Sequence, residues 1–427
     1  MQSRIAIVEG LRTPFCKMGT NFNEISAQEL GRLVTRELIE RTRIDPGSID
    51  EVIFGCVGQP AEAANIARVI ALLSGIPDHV PAYTVHRNCA SGIEAVVQAV
   101  LKIRTGEGDC YLVGGTESMS NIPFFMTKKL QEIISLFGRS KTWAEKFLAL
   151  SQIRLKYLAP RVGLQLGLTD SVCGLIMGST AEVLAREFGI TRQEQDEFAL
   201  ESHKRAIEAR KILQEEIMPV IPGPKFKEGV VDDNGPRDGQ TMEALAKLKP
   251  YFERGTGTVT VGNSSQVTDG AVALLVMTEE KAHRLRFTPL GYLSAYAFAG
   301  VEPHRMGIGP AHAIPQVLKK AGRKMQDVQV VEINEAFAVQ VMACLRSLES
   351  EGFAKKFGYE GYTGRIDRAI LNVNGGSIAL GHPVGSTGAR LILTMLKHMK
   401  RHNLNCGLVS LCVGGGQGAA VVLERDK

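Results

Sequence analysis

"CASGIEAVVQAVLKIRTGEGDCYLVGG", residues 89–115, runs from a helix into a strand, and its echo late in the chain decides the fold. Ile93, Val96, Val97, Val100 and Leu101 recur at three- and four-residue spacing, which predicts an amphipathic helix opening near Ser91. Tyr111-Leu112-Val113 then reads as a buried strand and Gly114-Gly115 as a turn. Ser91-Gly92 and Thr387-Gly388 stand 296 positions apart, and each pair opens an apolar helix. At the same offset Tyr111–Gly115 falls on Gly407–Leu411, again a buried strand, with Gly414-Gly415-Gly416 as its turn. Upstream, "IDPGSIDEVIFG" (44–55) and "RKMQDVQVVEIN" (323–334) each pass from a turn into a strand. A shared spacing over two elements points to duplication.

Working outward, Arg4–Val8, Glu51–Phe54, Val259–Val261, Ala271–Met277 and Val328–Ile333 read as strands, and Leu30–Ile39 as an amphipathic helix. Such alternation predicts α/β layers. The division is two related halves, residues 1–119 plus 250–285 and residues 286–427, with 120–249 inserted as a loop domain over one face. The insertion holds a helical pattern at Ala181–Ile212 and a polar stretch, "IPGPKFKEGVVDDNGPRDGQT" (221–241).

The composition of the 427 residues, 44% apolar and 22% charged with 45 glycines, fits several structural units around a sizeable core. A net charge of +5 is too mild to suggest nucleic acid. No signal or transit peptide precedes the first strand-like run, and no apolar run reaches membrane-spanning length, so the expectation is a cytoplasmic protein. Eight scattered cysteines without a C-x-x-C pair read as free thiols in a reducing compartment.

Within the insertion, residues 124–158 carry seven basic side chains (Lys128, Lys129, Arg139, Lys141, Lys146, Arg154, Lys156) against Glu132 and Glu145. Leu130, Ile133, Ile134 and Phe137 share a helical face, and Trp143, the sole tryptophan, lies nearby with Phe147 and Leu150. Such a basic amphipathic helix reads as a membrane-surface or partner-docking element. An ordinary surface helix packed on its own core is the other reading.

Cys89 sits among small residues where its helix begins. Unpaired N–H groups and the helix dipole there favour thiolate. A buried small hydrophobe is the alternative, and the stretch alone leaves both open. Three glycine-bracketed stretches place polar or reactive residues at strand ends or helix starts: "NEAFA" (334–338), "NGGSIALGHPVGSTGAR" (374–390) and "CVGGGQG" (412–418). "GHPVGSTG" lacks the lysine of a P-loop, and no G-x-G-x-x-G opens the first strand–helix unit, so a nucleotide site is weak. A zinc set of Cys89, Cys412 and His382 lacks the close ligand pairs of structural zinc, and no metal is expected.

Together "NCASG", "NEAF", "GHPVGSTGAR" and "CVGGGQG" make the chain resemble the thiolase family over essentially its whole length. "RTPF" (12–15), "GGTESMS" (114–120) and "NSSQVTDGA" (263–271) fit as well. The resemblance implies a five-layered αβαβα fold of two duplicated halves. It implies a 3-ketoacyl-CoA thiolase that cleaves its substrate with coenzyme A as co-substrate, ping-pong through an acyl-cysteine, in fatty-acid β-oxidation. Cys89 would be the nucleophile, His382 its base and Cys412 the second thiol, acting as acid and base. Asn334, through a water, and His382 would hold the thioester oxygen. Backbone N–H groups of Cys89 and Gly414 would form the oxyanion hole. Arg237 and Ser265 would contact CoA, and Phe337 would wall the acyl channel. The insertion looks like that of the β-subunit of the fatty-acid oxidation trifunctional complex, although those proteins often have His where Asn334 stands. That likeness brings in a hydratase/dehydrogenase α-subunit as partner and membrane contact through 124–158. The family forms homodimers or homotetramers and holds no permanent cofactor. Two alternatives remain: an acetoacetyl-CoA thiolase working by Claisen condensation, and a catalytically inert acyl-CoA- or lipid-binding protein on the same fold. A ketoacyl synthase would carry a second His rather than the cysteine of C-x-G-G-G.

Overall fold

Strand β1 (Ile5–Arg12) leads into helix α1 (Ala27–Thr42), whose first turn is capped by the Ser26 hydroxyl accepting from the Glu29 N–H. β2 (Glu51–Gly55), α2 (Ile66–Leu73), β3 (Ala82–Val85), α3 (Ser91–Thr105) and β4 (Cys110–Glu117) follow. The chain then enters the insertion, with α4 (Lys128–Arg139), α5 (Trp143–Ser151), α6 (Met177–Phe188) and α7 (Arg192–Glu208), and returns as β5 (Thr268–Thr278). The second half comprises β6 (Gly291–Gly300), α8 (Gly309–Ala321), β7 (Val330–Ile333), α9 (Ala338–Leu348), α10 (Val384–His402), β8 (Cys406–Val413) and β9 (Gln417–Glu424). This computed structural model describes residues 4–223, 228–361 and 363–426; residues 224–227 of the polar stretch lie outside them.

The strands run in the order β7-β8-β9-β6-β1-β5-β4-β2-β3. In the first half β3 and β4 pair parallel to β2, while β5 pairs antiparallel to both β4 and β1. The second half repeats this: β7 is parallel to β8, and β9 is antiparallel to β8 and β6. A parallel bridge from Val331 to Leu371 stands where β3 stands in the first half. Two residue pairs of β1 and β6, Ala6 with Tyr292 and Ile7 with Gly291, join the halves. The repeat read from spacing is thus present as a repeat of pairing direction.

Helices α3 and α10 form the middle layer. Ile93 and Val96 of one and Leu391 and Ile392 of the other share a core with Val113 of the first sheet and Val409 of the second. Outside the first sheet, Leu30, Val34 and Ile66 pack on Val52 and Phe54. Outside the second, Ile314, Val317 and Val339 pack with Leu408 and Val422. The order is therefore αβαβα, and each fully buried aliphatic side chain contributes about 1.5–3 kcal/mol. The middle helices meet at the two glycines the repeat aligned. A Cβ on Gly92 would stand 2.5 Å from the Ala389 nitrogen, and one on Gly388 2.6 Å from the Ile93 nitrogen.

Three local expectations change. Val259–Val261 is not a strand: the Glu182 carboxylate takes the Thr258 and Val259 N–H groups, and Asn263 Oδ1 takes that of Thr260. Ala181–Ile212 is broken after α6 at Gly189, whose φ is +58°, and restarts under a Thr191–Glu194 capping box. The basic segment is three helices rather than one: Thr142 and Glu145 form another capping box that starts α5 anew, and a four-residue helix, Leu155–Leu158, follows. Ile133 and Ala149 are buried, whereas Ile134, Trp143 and Phe147 are exposed. Among the described residues no helix is long and apolar enough to cross a membrane.

Candidate active site

The link from β3 to α3 carries Cys89. Asn88 takes a left-handed φ of +44° and donates from Nδ2 to the Gly414 carbonyl at 2.7 Å, tying the two halves together beside the thiol. Ser91 Oγ accepts from the Arg87 N–H and donates to the Asn88 carbonyl, which closes the turn. Burial pushes the Cys89 thiol up, while the backbone N–H groups of Gly414 and Cys89 pull it down. On balance the thiol is raised, so the helix start alone does not yield a thiolate, one of the two readings the stretch leaves open.

His382 lies just before α10. Its Nδ1 is 2.6 Å from Thr387 Oγ1, and that hydroxyl donates to the Pro383 carbonyl at 3.0 Å. The threonine's one proton is then spoken for, so Nδ1 must carry the hydrogen and Nε2 is the bare acceptor. Nε2 is buried without a hydrogen-bond partner. Burial, reinforced by the Arg390 charge, pushes the imidazole down to about 3 and keeps it neutral. The segment is anchored by Glu117 at the end of β4, whose carboxylate accepts from the Val57, Gly58 and Gly385 N–H groups. His382 is thus held by the first half although it belongs to the second.

Cys412 is buried near the end of β8. Burial first, and then the neighbouring Cys89 and Cys344, push its thiol up, so it holds its proton. The turn to β9 follows, with Gly415 and Gly416 at φ +86° and +80°. Asn334 stands past the end of β7, where its N–H donates to the Ser410 carbonyl. Its Oδ1 accepts from Ser377 Oγ at 2.6 Å, and its buried Nδ2 has no partner. Buried donors and acceptors are normally paired, so the bare His382 Nε2 and Asn334 Nδ2 each call for an explanation.

Cys89, His382, Cys412 and Gly414 line one cavity of about 440 Å³. Ser265 and Phe337 line it too, and the insertion closes it with Phe125, Leu164 and Leu168. Asn334 stands outside this lining, as does Arg237, whose backbone N–H donates to His203 Nδ1 at 3.2 Å. Sequence reasoning did not single out Asn88, Thr387 or Glu117. All three lay in quoted motifs, but their partners are set by the fold. Among the described residues no group of three or more His, Cys, Asp or Glu side chains could hold a metal ion.

Residues 5–280 match the family model of the thiolase N-terminal domain, and residues 287–425 that of the thiolase C-terminal domain. A 3-ketoacyl-CoA thiolase of Pectobacterium carotovorum subsp. carotovorum is 42% identical over 425 residues, 99% of this chain and 96% of that protein. The crystal structure of human mitochondrial 3-ketoacyl-CoA thiolase in complex with CoA superposes with a TM-score of 0.84 at 33% identity, covering 100% of this chain and 99% of that one. An acetyl-CoA acetyltransferase from Syntrophomonas wolfei gives 0.87 at 34% identity, with 100% of both chains covered.

Proposed function

This chain belongs to the thiolase family of acyltransferases, and from that premise we propose that it is a 3-ketoacyl-CoA thiolase, splitting 3-ketoacyl-CoA with CoA into acetyl-CoA and a shortened acyl-CoA in fatty-acid β-oxidation. One observation carries the reading: two thiols, an imidazole with a bare Nε2 and the Gly414 turn converge on one cavity. In the proposed cycle His382 Nε2 takes the Cys89 proton as the sulfur attacks the 3-keto carbon. The oxyanion accepts from the Cys89 and Gly414 N–H groups; one such donor is worth about 10²–10³ in rate in other enzymes. Collapse breaks the bond between carbons 2 and 3 and releases the acetyl-CoA enolate. His382, now protonated, and Asn334, through a water, hold its thioester oxygen while Cys412 gives a proton to carbon 2. Free CoA then attacks acyl-Cys89, its thiol proton passing to the Cys412 thiolate, and the departing Cys89 sulfur takes its proton back from His382. Ser265 and Phe337 stand where substrate would pass. Arg237 is left for the distal, phosphate-bearing part of CoA, which suits a guanidinium.

The test is intact mass and peptide mapping after incubation with 3-ketoacyl-CoAs of increasing length, without free CoA. An acyl adduct on Cys89 is expected. Loading from the four-carbon substrate alone would move the assignment to an acetoacetyl-CoA thiolase. No adduct on any cysteine would leave the inert binding protein.

Further proposals concern surroundings. The half-exposed edge strand β3, next to Cys89, offers unpaired backbone for a homodimer or homotetramer. The exposed Phe124, Trp143, Phe147 and Leu155, set among lysines and arginines, suit an anionic lipid surface. A cytoplasmic enzyme docking there, with or without a hydratase/dehydrogenase α-subunit, is the working picture.

A further inference from the structure

An asparagine is useful as a donor only if its amide faces the right way, and the structure shows what fixes Asn334. Arg390 is wholly buried, with Nη1 3.5 Å from Glu332 Oε2 and Nη2 3.3 Å from Ser377 Oγ. Ser377 is wholly buried as well, and its Oγ is 2.6 Å from Asn334 Oδ1. A guanidinium can only donate, so Ser377 receives a hydrogen bond from Arg390 and must send its own proton elsewhere. Asn334 is the acceptor within reach. The side of the amide facing Ser377 must therefore be the oxygen, and the NH₂ is turned away, where it has no partner. With the amide reversed, Ser377 would face two donors and its own proton would be left buried without an acceptor, a cost of about 1–3 kcal/mol.

We propose that Ser377 and Arg390 are positioning residues, a buried relay that holds the Asn334 amide with its N–H side free for the water through which it would reach the substrate's thioester oxygen. The proposal rests on the thiolase reading of Asn334. Arg390 does double duty, since its charge also opposes protonation of His382. Glu332 on its far side keeps the guanidinium from standing as a lone buried charge.

The experiment measures cleavage of a 3-ketoacyl-CoA by Ser377→Ala in two backgrounds, the natural chain and Asn334→Ala, with thermal midpoints recorded for all. In the natural background kcat should fall about 10-fold with KM within about 2-fold, the pattern of an interaction made in the transition state. In the Asn334→Ala background the same change should alter kcat less than about 2-fold, because the group it acts through is gone. Ser377→Thr, which keeps the hydroxyl, should retain most of the activity and serves if Ser377→Ala folds poorly. Equal losses in both backgrounds, or no loss in the natural one, would overturn the relay while leaving the thiolase reading intact. A natural chain that cleaves no 3-ketoacyl-CoA would remove both.

Discussion

In the second half, β8 turns into β9 through three residues, Gly414–Gly416; in the first half the equivalent strands, β4 and β5, are separated by residues 118–267. The short connection brings backbone to the thiol. A Cβ on Gly416 would come within 2.3 Å of the Val301 carbonyl oxygen, so only glycine fits, and the Gly414 N–H reaches Cys89. The long connection supplies a wall, with Phe125, Leu164 and Leu168 closing the cavity over the same thiol. Helix starts diverge in the same way. At the 296-residue offset His86 matches His382 and Cys89 matches Gly385. His86 is exposed, whereas His382 is buried with Nε2 bare. On the proposed mechanism one architecture used twice has been divided: the first half keeps the nucleophile, and the second keeps the base, the acid and the Asn334 donor.

The sharpest way to break that division is Cys89→Ser. A hydroxyl is far less ionised than a thiol, and loss of a nucleophile elsewhere costs about 10⁶ in kcat. Turnover should fall by at least about 10⁴, with no acyl adduct by mass. Substantial residual turnover would place the nucleophile elsewhere. Next in size is Cys412→Ala, which removes the proposed acid and base of the second half and should slow turnover by about 10²–10⁴. Here the adduct on Cys89 should still form and should persist when CoA is added. Rapid discharge by CoA would show that Cys412 is not the base of that step.

A smaller effect tests the symmetry itself. Gly92→Ala and Gly388→Ala each push a methyl group against the other helix's backbone at nearly equal distances. Overpacking of this kind costs about 1–3 kcal/mol. Denaturant unfolding should show similar losses for the two variants. A large loss for one and none for the other would mean that the middle layer is not packed as a pair.

The features legible in the sequence were those encoded by neighbours along the chain. Helix period after Cys89 and the glycine brackets around His382 and Cys412 are local, the 296-residue offset compares two such local patterns, and each appears in the fold as read. What sequence could not show depends on contacts between distant segments. Glu117 holds the Gly385 N–H across 268 positions, and Thr387 becomes the tautomer switch of His382 only through a turn of α10. Val259–Val261 has strand-like residues, yet the Glu182 carboxylate takes the Val259 N–H before a sheet can. The helix start leaves thiolate and buried thiol both open for Cys89, and the quantity that weighs most on it, burial, belongs to the whole fold.

The smallest expected effect on catalysis, and the one that isolates the insertion, comes from Trp143→Ser with Phe147→Ser. Both side chains point outward, 82% and 75% exposed, and the Lys146 ammonium lies 5.1 Å from the tryptophan ring and 5.6 Å from that of Phe137. Cleavage of a short, soluble 3-ketoacyl-CoA should stay within about 2-fold, because neither residue lines the cavity. Sedimentation with phosphatidylserine-containing vesicles should weaken at least about 10-fold, since two large apolar groups no longer enter the interface. Binding by the natural chain should also weaken as salt rises, because seven cations against two carboxylates are screened beyond about 10 Å at 0.1 M. Binding to neutral vesicles alone, or equal sedimentation of both chains, would deny the lipid surface. If the natural chain ignores vesicles, the apolar platform would have to be covered by protein. The contrast with the three-residue turn of the second half would then concern assembly rather than membrane contact.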